Sequence, residues 1–103
     1  MIKVAIYNAS ETVGLASRTE DKLKGKFNNI SVVDKDNSKG NYDKTLVADL
    51  TGKRKELVSD MAKFLEGEVG SFPLAEDRPE ADVLVIVVEQ LSEDNLLSPS
   101  PNL

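Results

Sequence analysis

The sequence predicts an α/β (α+β) domain. It is expected to be a two-layer sandwich in which two helices cover one face of a mixed sheet of about five strands, in the order β-α-β-β-α-β-β. Three observations predict it. Ile2, Val4 and Ile6 alternate with Lys3, Ala5 and Tyr7, and that strand runs through a short polar turn into a helical stretch beginning near Thr12. Leu57, Val58, Met61, Phe64 and Leu65 recur with the period of an amphipathic helix. The run Val83 to Val88 is apolar on both faces, as a central strand flanked by neighbours must be.

The remaining elements fill in this frame. A helix over residues 12–25 presents Leu15, Ala16, Thr19 and Leu23, with lysines 22, 24 and 26 in its last turn, where cations complement the helix dipole. A second strand over residues 29–34 carries Ile30, Val32 and Val33, and a polar loop follows over 34–43. A third strand over 44–50 leads to Thr51, read as the N-cap of a helix ending near Glu66. Residues 69–74 form a weak strand broken by Pro73, and 75–80 an acidic loop. Strands joined across a helix are expected to be parallel. The domain spans residues 1–89, and the Ser/Pro-rich stretch 90–103 reads as a polar tail or linker.

Composition narrows the chemistry. In 103 residues there is neither Cys nor His, which removes thiol nucleophiles, thiolate zinc sites and Ser-His-Asp triads. The net charge of −5 disfavours nucleic acid and anionic lipid surfaces as partners. The longest apolar run is too short to cross a bilayer, so no direct membrane insertion is expected of this segment. The N-terminus has no signal-peptide layout, so the chain reads either as cytosolic or as a segment of a longer parent.

The turn from Asn8 through Ser10 and Thr12 to Gly14 lies between the first strand and the first helix. Unused amides and the positive end of the helix dipole make such a turn a candidate surface for an anion or polar ligand. The competing structural reading is that Ser10 or Thr12 caps the helix while Gly14 lets it pack on the sheet. The glycine spacing of a dinucleotide loop is missing. Residues 34–45 fail as a calcium loop, since the glycine falls one position late and Thr45 replaces the bidentate acid. Glu76 with Asp77, or Glu80 with Asp82, supply neighbouring carboxylates, but adjacent acids in a Pro-bounded loop are expected to face water rather than to catalyse. Tyr42 is expected to cover an edge of the core. No catalytic residue, cofactor or metal site is expected.

The stretch Val4-Ala-Ile-Tyr-Asn8-Ala-Ser10 followed by Gly14-Leu15-Ala16 resembles the opening motif of the LytR C-terminal domain family. Residues 41–45, the second helix through Leu65, and the closing strand at 81–86 agree with that family's layout. Ala9 departs from the usual glycine of the turn. The resemblance implies a non-catalytic accessory module of a bacterial cell-envelope protein, extracytoplasmic as part of a membrane-anchored parent. It implies contact with cell-wall glycopolymer or another protein domain, while the glycopolymer transfer of LytR–CpsA–Psr proteins resides in a separate domain. The alternative is a spacer or oligomerisation domain without a ligand. The candidate contact surface is Asn8, Ser10, Thr12, Gly14 and Tyr42.

Overall fold

The computed structural model describes residues 1–89; the tail expected over 90–103 lies outside the described residues. The elements are β1 (Ile2–Asn8), α1 (Leu15–Lys26), β2 (Ile30–Asn37), β3 (Leu46–Asp49), α2 (Lys55–Phe64), β4 (Glu68–Val69) and β5 (Val83–Val87). They form one five-stranded sheet in the order β2-β1-β5-β3-β4. β1 is parallel to both β2 and β5, β3 is parallel to β4, and β3 is antiparallel to β5. The two strand–helix–strand units are therefore parallel, as expected, and the sheet is mixed.

Strand alternation sorts the side chains into two layers. Ile2, Val4, Ile6, Val47, Val83, Val85 and Val87 pack with Leu23 of α1 and with Val58, Met61 and Ala62 of α2. Leu65, just past α2, closes this layer, and Phe64 meets Phe27 edge to face with ring centres 5.9 Å apart. All five residues of β5 are buried, which follows from its place between β1 and β3.

The opposite face carries Ala5, Tyr7, Ala48, Leu84 and Ile86, and among the described residues no helix contributes to it. Its cover is made of connections. Between β2 and β3 the chain passes from one sheet edge beyond β1 and β5; between β4 and β5 it returns from the other edge. Tyr42 from the first connection and Phe72 and Ala81 from the second pack onto this face.

Four boundaries differ from the sequence reading. α1 starts at Leu15, because Gly14 adopts a left-handed φ of 86° and only from Gly14 on do carbonyls accept helical bonds, the first from the Arg18 amide. β2 runs on to Asn37 despite its polar sequence: as an edge strand it needs only the ladder to β1, and its side chains beyond Val32 are exposed. A register shift opposite Val4 and Ala5 leaves Val33 as a bulged extra residue, which interrupts the free edge of that strand. Thr51 is not the N-cap of α2, which begins at Lys55. The Asp49 carboxylate instead gathers the amides of Thr51, Gly52 and Arg54 at 2.8–3.0 Å. The weak strand expected at 69–74 is reduced to Glu68–Val69.

Candidate functional site

The carboxyl ends of β1, β2 and β5 open at the same end of the sheet, where the chain leaving β1 enters α1. A shallow crevice there, of about 260 Å³, is lined by Asn8, Gly14, Ala16, Ser17, Lys35, Asp36 and Asn37. Parallel strands whose connections diverge leave a depression of this kind outside their carboxyl ends, and it is where open α/β sheets bind ligands.

The turn is self-contained. The Asn8 side-chain oxygen accepts from the Ser10 amide at 2.9 Å and from its hydroxyl at 2.7 Å, while the Asn8 amide group donates to the Thr12 carbonyl at 2.9 Å. Ser10 Oγ accepts from the Thr12 amide at 3.1 Å, and the Thr12 hydroxyl donates to Glu89. Neither Ser10 nor Thr12 caps α1, which has no side-chain cap. The roles of these side chains are thus to hold the loop that carries Gly14. On the crevice floor Lys35 Nζ binds Glu20 at 2.7 Å and Ser17 Oγ at 3.4 Å. Lys24 pairs with the same Glu20, and these two hydrogen bonds hold its carboxyl below the usual range.

Of the five candidate surface residues, the structure places Asn8 and Gly14 on the crevice, and Ser10 and Thr12 behind it as braces. Tyr42 belongs to the other face of the sheet. Its hydroxyl donates to Glu76 at 2.6 Å, and burial followed by the negative charge of Glu76 pushes its pKa up to about 12. Glu76 is itself buried, at 6% exposure, contrary to the expectation that this acid faces water. Burial pushes its carboxyl up, but the bonds from Tyr42 and from the Lys39 and Gly40 amides at 2.9 Å outweigh it and hold the pKa below the usual value. Tyr7 reaches the same loop by donating to the Asp77 carbonyl at 2.9 Å, and Lys39 pairs with the Asp77 side chain. Glu76 and Asp77 therefore fasten the two connections together. Among the described residues no group of three or more acids gathers as a metal site would require.

A second feature was hidden by the overall charge: Lys53, Arg54 and Lys55 stand in succession at the start of α2. A count of local rather than total charge finds them.

No curated protein sequence matches the chain. Among solved structures, the solution structure of the C-terminal domain of RV0431 is similar, with a TM-score of 0.59 and 28% identity over 86% of this chain and 73% of that one. No helix among the described residues is long and apolar enough to cross a membrane. Residues 1–90 match the family described as LytR cell envelope-related transcriptional attenuator, and the chain belongs to that family.

Proposed function

We propose that the domain is a non-catalytic binding module of a cell-envelope protein, extracytoplasmic within a membrane-anchored parent, and that it contacts cell-wall polymer through the crevice at the carboxyl ends of β1 and β2. The observation that carries this reading is the crevice lining itself. Asn8, Ser17, Lys35, Asp36 and Asn37 line it together with Gly14, where a side chain would meet only open space. Amides, a hydroxyl and a shared ion pair suit a hydroxylated glycan better than an apolar ligand. Family membership supports the envelope setting.

The test is co-sedimentation of the full chain with insoluble peptidoglycan. Ser17 and Asn37 line the crevice and are exposed, so Ser17→Ala with Asn37→Ala is expected to preserve folding and to cut retention several-fold. Unchanged retention removes the crevice from the account. Absence of any retention of the unaltered chain favours the second reading, a spacer or oligomerisation domain.

A further inference from the structure

We propose that the groove between α2 and the free edge of β4 is a docking site for an extended acidic–aliphatic peptide of a partner protein, added antiparallel to β4 as a sixth strand. It lies at the opposite end of the sheet from the crevice and stands independently of the reading above. The groove has a volume of about 550 Å³ and is lined chiefly by Lys55, Val58 and Ser59 of α2 and by Val69, Gly70 and Ser71 along the edge.

Three features converge on that occupant. Among the described residues β4 is the last strand of the sheet, and the Glu68 and Gly70 amides donate inward to Thr45 and Val47 at 2.9 and 3.1 Å. In a parallel ladder of that register the amide and carbonyl of the intervening Val69 face outward, ready to pair with an added strand. Val69 is also 52% exposed and, with Val58 below it, forms an apolar seat for an aliphatic side chain. Finally, Lys55 lines the groove, Lys53 and Arg54 stand just beyond its Gly52 end on an adjoining hollow, and among the described residues none of the three forms an ion pair. Asp49 also borders the groove, and its carboxylate, though held by the loop amides, keeps its negative charge and offsets one of the three cations. Those amides are thereby occupied, so the attraction resides in the three side chains. In antiparallel addition the amino-terminal part of the peptide meets them, so the acids precede the aliphatic residues. Apolar anchoring beside charge pairing is the usual economy of a small, transient interface.

The experiment titrates the full chain with a synthetic octapeptide of two acidic residues followed by alternating valine and threonine, read by fluorescence anisotropy and amide NMR shifts. Saturable binding is expected, with shifts confined to residues 52–59 and 68–71. Lys53→Glu with Lys55→Glu is expected to weaken it at least tenfold, and Val69→Ser about as much, with the circular dichroism spectrum unchanged. A peptide N-methylated at its pairing positions is expected to lose binding, as is one with lysines in place of the acids. No saturable binding, shifts elsewhere, or equal binding of the N-methylated peptide overturns the proposal. So does equal binding of dextran sulfate that ignores Val69→Ser, which marks plain polyanion attraction. A concentration-dependent dimer that the peptide does not dissociate overturns it in favour of a second copy on the edge.

Discussion

The Glu76 carboxylate accepts a hydrogen bond from the Tyr42 hydroxyl at 2.6 Å across the helix-free face of the sheet. With two further bonds from the Lys39 and Gly40 amides, it ties the β4–β5 connection to the β2–β3 connection. A face without a helix has to be covered by chain of irregular backbone, and such chain has polar groups that need partners. One buried acid supplies three of them.

Replacing that acid therefore exposes the dependence. Glu76→Ala leaves two amides and a phenol without an acceptor and is expected to cost about 2–4 kcal/mol of stability, at the upper end of a lost charged hydrogen-bond network. Glu76→Gln keeps the shape and one carbonyl oxygen and should cost less. Urea unfolding of the two variants measures the difference, and equal costs would show that the charge rather than the shape is what the loops require.

That cluster and the separate Asp49 loop set the response to pH. Glu76 and Asp49 have folded pKa values below their ordinary values of 4.5 and 3.8. Lowered carboxyls stabilise the fold above their unfolded values, and that contribution disappears as pH falls through the folded ones. Tyr42 acts at the other extreme. Its pKa is raised from 10.0 to about 12, so its contribution is full below pH 10 and is lost as pH rises towards 12. Stability measured against pH should thus be flat near neutrality and fall on both sides. Tyr42→Phe should flatten the alkaline side specifically, while lowering stability at neutral pH through the lost bond to Glu76.

How much of this was legible beforehand depends on what carried each element. β1, α2 and β5 announce themselves because burial on one or both faces imposes a period on their side chains. The polar half of β2 does not, since an edge strand is held by backbone bonds that leave no mark on Asp34, Lys35, Asp36 or Asn37. Asp49 as the partner of the loop before α2 was masked by Thr51, another capping residue that stands nearer the helix. Asn8 and Gly14 were found as a turn, but the neighbours that complete the crevice, Lys35, Asp36 and Asn37, come from that same unreadable strand. Glu76 was misjudged because sequence shows its acidic neighbour and its prolines, whereas the donors that bury it lie 34 to 37 residues away.

Glycines separate backbone demand from space. Gly14 has a φ of 86° with open space around its missing side chain, so Gly14→Ala should cost only the left-handed conformation, about 1 kcal/mol. At Gly67 a β-carbon would stand 2.3 Å from the Thr45 carbonyl oxygen, at the point where the chain leaving α2 meets β3. Gly67→Ala is expected to cost several times more, because backbone must move. Thermal unfolding of the two variants orders them, and a reversed order contradicts this packing.

Removal of the Asp49 carboxylate addresses the second helix. Asp49→Ala frees the amides of Thr51, Gly52 and Arg54 and should destabilise by about 1–2 kcal/mol, as loss of a capping acceptor does. Amide exchange should quicken first in residues 51–58, and uniform quickening would show that the loop is not held locally.

The reading of the domain as a wall-binding module stands most directly on which amides respond to a ligand. Titration of the labelled full chain with soluble peptidoglycan fragments should shift the resonances of residues 8–17 and 35–38 and leave those lining the groove beside β4 in place. Fragments that shift nothing at millimolar concentration, or shift only residues away from the crevice, contradict it.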